Sequence, residues 1–195
     1  MLINRPKSQQ PIPDRAKKVF TGILFDVYQW EQELFDGTKT LFEKIKRPDT
    51  VVIFPILDDG KIILTKQTQP GREPFLGTIG GRVDKDEGVL EAAKRELLEE
   101  SGYEASDFVL LSAQHPTSKI DWVVYTFIAK NLKKVAEMNL DAGEKINLKL
   151  VDFDEFIELT LNKKFVEKEI LSKFYEAKLD PKKMKELNKL FDPKF

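Results

Sequence analysis

Residues 81–103, GRVDKDEGVLEAAKRELLEESGY, decide the reading of this chain. Gly80-Gly81 opens a loop that runs into a helix over about 88–101, and Gly102 stands where a C-terminal cap belongs. Stepping about 100° per residue from Val89 puts Leu90, Ala92, Ala93 and Leu97 on one apolar arc, with Glu91, Lys94 and Arg95 opposite. Glu96 falls between the directions of Ala92 and Ala93, Glu100 falls almost in line with Val89, and Glu99 flanks them. Carboxylates therefore point along the face that the helix must bury. Like charges one turn apart repel, and buried carboxylates are costly unless paired or bound to metal. A solvated face, the ordinary explanation of an acidic run, would put these acids on the other side. A hard divalent cation with oxygen ligands resolves the conflict, and Mg²⁺ takes one or two carboxylates while leaving room for substrate phosphates.

The spacing G-x5-E-x7-R-E-L-x-E-E-x-G-Y, filled here by Gly81, Glu87, Arg95, Glu96, Leu97, Glu99, Glu100, Gly102 and Tyr103, resembles the Nudix box, and the chain looks like a Nudix hydrolase. The resemblance implies an α/β fold, an α/β/α sandwich around a mixed sheet, with the box as a loop–helix–loop at the active site. It implies that Glu96, Glu99 and Glu100 hold divalent ions, Mg²⁺ or Mn²⁺, with the backbone carbonyl of Gly80 as an extra ligand. It also implies that Arg95 pairs with Glu87 to fix the helix against the loop, so that Gly81, Glu87 and Gly102 are structural members of the motif. Arg95 stands four residues before Glu99, and on helix geometry alone its charge offsets the acidic cluster.

Composition frames the rest. A length of 195 residues is ample for one domain with small additions, and 41% hydrophobic with 33% charged residues is ordinary for a globular protein. Net charge is −1, from 32 basic and 33 acidic residues, which gives no support for nucleic acid as a partner. The absence of cysteine excludes disulfides, zinc–thiolate sites and thiol nucleophiles. No apolar run reaches membrane-spanning length and the N-terminus lacks a signal-peptide core, so a cytoplasmic protein is expected.

Along the chain, residues 1–16 read as a polar, proline-bearing arm and residues 17–46 as an N-terminal β-hairpin region. Val19–Trp30 has strand composition, and Asp36-Gly37 marks a tight turn between two further strands. Residues 47–162 form the main domain. In it, Thr50–Leu57 is an apolar run suited to a buried strand, followed by the turn Asp58-Asp59-Gly60 and a strand over Lys61–Gln67. Phe108–Ala113, Trp122–Ala129 and Ile146–Phe153 read as strands, and Asp154 as the cap of a helix to about Leu161. Residues 163–195 form a helical tail whose last helix starts at Pro181.

The N-terminal antiparallel piece is similar to that of the ADP-ribose and nucleotide-sugar pyrophosphatase branch of the family, which implies a homodimer joined through residues 17–46. In that branch the residue that handles the attacking water comes from an acidic loop before the last strand. Here that loop offers Asp141 and Glu144, with Glu144 preferred at the strand entrance. Arg72, Lys119 and Lys66 are candidates for phosphate contacts, and Trp122 and Trp30 for stacking on a base, although tryptophan in a strand more often packs in a core. His115, the sole histidine, reads as a loop residue rather than a ligand or base. The chain departs from the branch at Gly77, where an acid is usual, at Gln69 in Gln67-Thr68-Gln69, where an arginine is usual, and at Pro116-Thr117-Ser118. The implied activity is hydrolysis of a nucleoside diphosphate linked to another moiety, ADP-ribose or a nucleotide sugar. The alternatives are a nucleoside triphosphate pyrophosphatase and a non-catalytic binding module.

Overall fold

The computed structural model describes residues 3–140 and 142–195. Its first strands are β1 (Lys17–Thr21), β2 (Asp26–Glu33) and β3 (Lys39–Lys46). The stretch expected as one strand over Val19–Trp30 is thus two, because the Gly22 N–H bonds the Phe25 carbonyl at 2.8 Å and turns the chain. The hairpin at Asp36-Gly37 is present as expected, and Gly37 takes a positive φ of 82°. There follow β4 (Thr50–Pro55), β5 (Ile62–Thr68), β6 (Phe75–Gly77), β7 (Ile79–Arg82), α1 (Val89–Ser101), β8 (Tyr103–Gln114), β9 (Ile120–Asp121), β10 (Val124–Lys134) and β11 (Lys145–Val151). Three helices end the chain: α2 (Phe153–Thr160), α3 (Leu171–Leu179) and α4 (Pro181–Phe191).

The strands form three sheets, ordered β1-β2-β3-β9, β7-β4-β10-β8 and β11-β5-β6. The second is mixed: β4 runs parallel to β10, from Thr50 opposite Val124 to Pro55 opposite Ala129, while β7 and β8 are antiparallel to their neighbours. β4 explains its own apolar run. Val51 and Ile53 pack with Ala92, Ala93 and Leu97 of α1, whereas Phe54 packs on the opposite side with Phe156, Phe174 and Phe191. A strand covered on both faces has no polar alternation.

The C-terminal helices therefore belong to the core. Phe156 lies 5.2 Å from Phe54, 5.2 Å from Phe174 and 5.1 Å from Phe191, ring centre to ring centre. Helix α2 begins earlier than expected. Asp152, not Asp154, is its cap, accepting the Glu155 N–H at 2.8 Å, so Phe153 is the first helical residue and not the end of a strand. This register turns Phe156 and Ile157 inward. Pro181 opens α4 as expected, with the Asp180 carboxylate accepting the Lys182 N–H at 2.8 Å.

The N-terminal arm is tied down by polar contacts. Arg5 pairs with Asp49 at 2.8 Å and Asp121 at 3.0 Å, and the buried Lys44 ammonium reaches Ser8 Oγ at 3.2 Å and the Gln10 carbonyl. Among the described residues no helix is long and apolar enough to cross a membrane.

Candidate active site

The site is built where β7 passes into α1. The helix ends at Gly102, whose φ of 70° is left-handed and whose N–H closes the last turn on the Leu98 carbonyl at 2.7 Å. A Cβ there would run into the Ala136 carbonyl, so glycine is required for both conformation and space. The helix register is as the sequence implies: Ala92, Ala93, Leu97 and Glu100 are all buried.

Glu100 is the unusual member of that face. Its Oε2 accepts the N–H of Gly80, on β7, at 3.1 Å. Burial is the main influence on its carboxyl and pushes the pKa up to about 8. The Gly80 bond opposes that rise, and the negative charges of Glu96, Glu144 and Glu167 add to it. A carboxyl in this position lacks the positive charge that would keep it ionised.

Arg95 neutralises the other acids. Its Nε and Nη2 grip the two oxygens of Glu87 at 2.9 and 3.0 Å, its Nη1 reaches Glu96 at 2.9 Å and Glu99 at 3.0 Å, and Nη2 also donates to the Arg82 carbonyl at 2.9 Å. Helix register alone places Arg95 on the outward side; in the structure it folds over the loop and is only 30% exposed. The two-point bond to Arg95 holds the Glu87 carboxyl below its ordinary range and, with Glu96 and Glu99, keeps the guanidinium protonated. Glu87 in turn accepts the Asp84 N–H at 3.0 Å, so one ion pair fixes loop, strand and helix together.

These residues surround a cleft of about 400 Å³ whose walls include Gly80, Gly81, Glu96, Glu99, Glu100 and Glu144. Gly81 lacks a Cβ at the point where the Glu96 carboxylate crosses the strand, and any side chain there would displace that carboxylate. The structure thus brings together Gly80, Gly81, Glu87, Arg95, Glu96, Glu99, Glu100 and Glu144. Asp141 lies outside the described residues. Asn139, whose N–H bonds the Glu99 carbonyl at 2.8 Å, anchors the loop that carries Glu144, and Gln69 Nε2 approaches Glu144 Oε1 at 3.5 Å.

The candidates for substrate contacts lie outside the cleft walls. The Arg72 guanidinium sits 3.6 Å above the Phe75 ring. The Lys119 ammonium lies 6.0 Å over Phe42, beside the N-terminal sheet. Trp122 donates to Thr50 Oγ1 at 3.0 Å and carries Arg47 against its ring at 4.6 Å, which holds it at the strand ends. Trp30 is buried beside Phe42, Lys66 is exposed on β5, and His115 faces the Pro6 carbonyl at 3.1 Å. Arg82, Asp84 and Asn139 line the cleft without having been singled out in the sequence, although each is a near neighbour of a motif residue.

Among the described residues no three His, Cys, Asp or Glu side chains stand close enough to form a ready cage for a metal. The donor set nevertheless fits a hard divalent ion. It is all oxygen, it includes one buried carboxyl surrounded by other carboxylates, and Mg²⁺ needs few protein ligands because it keeps several waters.

Comparison with known proteins follows the same line. The NUDIX domain model matches residues 46–174. The chain belongs to the Nudix family. Among curated Nudix relatives, the ADP-ribose pyrophosphatase of Bacillus subtilis (strain 168) is 31% identical over 149 residues, 73% of this chain and 79% of that protein. The ADP compounds hydrolase NudE of Escherichia coli (strain K12) is 35% identical over 106 residues, 53% of this chain and 56% of that one. A solved structure described as "Crystal structure of ADP compounds hydrolase" superposes with a TM-score of 0.70 at 26% identity, covering 89% of this chain and 95% of the other. The mixed sheet flanked by helices is therefore the Nudix fold.

Proposed function

We propose that this chain is a metal-dependent pyrophosphohydrolase that cleaves the diphosphate of a nucleoside diphosphate linked to another moiety, with ADP-ribose first and nucleotide sugars second. The observation that carries this reading is the buried Glu100 carboxyl, bonded to Gly80 and surrounded by acids at the wall of an open cleft. Such a group is stabilised by a cation, and a cation in a cleft recruits phosphates. The two relatives, whose names describe hydrolysis of ADP-ribose and of ADP compounds, support the substrate class.

In this reading Glu96, Glu99 and Glu100, with the Gly80 carbonyl, hold Mg²⁺ or alternatively Mn²⁺. The bound ion would supply charge neutralisation on the phosphoryl oxygens and acidify water. Arg95 and Glu87 fix the helix and loop that carry the acids, and Gly81 and Gly102 allow the close approaches they need. Glu144, which lines the same cleft, takes the proton of the attacking water. For ADP-ribose, water adds to one phosphorus, the bridging P–O bond breaks, and AMP and ribose 5-phosphate leave. Arg72, Lys119 and Trp122 are left to meet the parts of the substrate that extend beyond the cleft.

The active form is proposed to be a cytoplasmic homodimer with no nucleic-acid or membrane partner. Support comes from the N-terminal sheet and its β1–β2 turn, where Phe20 (58%), Leu41 (64%) and, in the turn, Ile23 (103%) are exposed. An apolar face of this kind is unusual on a monomer.

The test is a panel of ADP-ribose, nucleotide sugars, dinucleoside polyphosphates and nucleoside triphosphates with Mg²⁺, products resolved chromatographically. Preference for ADP-ribose or a nucleotide sugar supports the proposal. Preference for nucleoside triphosphates, or no turnover of any compound, contradicts it.

A further inference from the structure

We propose that Glu167, on the segment between α2 and α3, is a further acid of the cation site, delivered by the C-terminal part of the chain to the free edge of β7. The inference rests on the metal-dependent reading above and assigns to it a residue outside the box and its neighbouring loop.

Strand β7 is the edge of its sheet. Its Ile79 and Gly81 stand opposite Ile53 and Val51 of β4, and the Val83 N–H bonds the Asp49 carbonyl at 2.9 Å. In an antiparallel pair alternate residues turn N–H and C=O toward the partner. The N–H groups of Thr78, just before β7, and of Gly80 therefore turn away from β4, while the Thr78 carbonyl accepts the Thr65 hydroxyl at 3.3 Å. Both donors are taken by carboxylates: Gly80 by Glu100 at 3.1 Å and Thr78 by Glu167 Oε1 at 2.9 Å. Groups two residues apart on an extended strand are separated by roughly 7 Å, so the two bonded oxygens lie on one side of the chain at about that spacing. The Gly80 carbonyl faces that same edge. The negative field of Glu167 reaches Glu100.

The placement of Glu167 is built into the fold. Segment 164–166 lies parallel to β6, with the Leu76 N–H on the Lys164 carbonyl and the Val166 N–H on the Leu76 carbonyl, both at 3.0 Å. Phe165 is fully buried in the phenylalanine cluster and fixes the register. Gly77 leaves the space: a Cβ there would stand 3.0 Å from Glu167 Oε1. Burial is the main influence on the Glu167 carboxyl, and the positive charges of Arg72 and Lys168 act on it only through space. A glutamine would accept the Thr78 N–H equally well without the cost of withdrawing a charge from water. A cation arriving at the same edge accounts for the charge.

The test is Mn²⁺ binding to the full chain without substrate, read by electron paramagnetic resonance. It compares wild type with E167Q, E167A and E186Q, the last an exposed α4 glutamate that gives the same change in net charge. E167Q keeps the acceptor and loses the charge, and should weaken Mn²⁺ roughly five- to twentyfold, the effect of one unit charge at this separation in a partly screened site. E167A should weaken it at least as much, and E186Q less than about twofold. Hydrolysis by E167Q should fall at limiting metal and recover as metal is raised. Mn²⁺ affinity of E167Q within about twofold of wild type, or equal weakening in E167Q and E186Q, would overturn the inference. Because binding is read without substrate, weakened binding in a protein that cleaves no nucleoside diphosphate would count against the proposed activity and not against Glu167.

Discussion

The Glu100 carboxylate accepts the backbone N–H of Gly80 at 3.1 Å, which ties the last turn of the box helix to the strand that precedes the box. The bond holds in place a carboxyl that burial and neighbouring acids push up to about pH 8. A single amide does not offset that burial, so the site is a source of instability that a bound cation would relieve.

Glu100→Gln should therefore act in opposite directions on activity and stability. Removing the proposed ligand should lower turnover by several orders of magnitude. In chelator, wild type should lose stability as pH rises from about 4.5 toward about 8, because the folded state holds a proton there that the unfolded chain releases. Glu100→Gln should remove part of that slope and leave the part due to Glu167, whose carboxyl burial pushes up to about 7. Thermal melts across this range, with and without chelator, read the difference. A slope undiminished by the substitution would assign it to other groups.

The Arg95–Glu87 pair makes the converse prediction. Its two bonds of 2.9 and 3.0 Å lower the Glu87 pKa, so the pair stabilises the fold above the ordinary carboxylate range and the contribution is lost as pH falls through the depressed value. Glu87→Gln should cost about 1–3 kcal/mol near neutral pH in urea unfolding. Arg95→Lys should not replace the lost function, since an ammonium cannot serve Glu87, Glu96, Glu99 and the Arg82 carbonyl at once. A fully active Arg95→Lys enzyme would remove the positioning role.

Much of this was legible in the sequence because it is local. The box fixes its own loop, helix and cap within residues 81–103, and the β4 run announced a strand covered on both faces. Contacts that join distant segments left no such trace. Nothing near Glu167 signals that its carboxylate reaches Thr78, because the pairing depends on Phe165 finding the phenylalanine cluster. The cap of α2 was misplaced by two residues since Asp152 and Asp154 are both competent caps, and only the inward register of Phe156 chooses between them. The contacts of Trp122, with Arg47 against its ring and its N–H on Thr50, likewise join segments that its strand pattern does not link.

Glu144 lines the same cleft as the helix acids, with Gln69 as a 3.5 Å neighbour. Glu144→Gln should lower kcat by about 10²- to 10⁴-fold with KM little changed, the range of a general base. Calorimetry should still detect metal binding. Activity within a few-fold of wild type would shift the role to Asp141 or to Glu99.

The exposed apolar face of the N-terminal sheet predicts its own disruption. Phe20→Glu with Leu41→Glu places charges on residues that are 58% and 64% exposed, so folding should survive while a dimer separates. Light scattering at micromolar concentration should give a dimer mass for wild type and a monomer mass for the variant. A monomeric, fully active wild type would contradict the assembly.

The most direct measurement is a ³¹P NMR time course of ADP-ribose with the wild-type protein and Mg²⁺, run beside Glu100→Gln and beside wild type in excess chelator. The account predicts that the diphosphate signals give way to two phosphomonoester signals of equal area, AMP and ribose 5-phosphate. It predicts that neither control shows the change. Persistence of the diphosphate signals in the wild-type sample, or the same conversion in chelator, would contradict it.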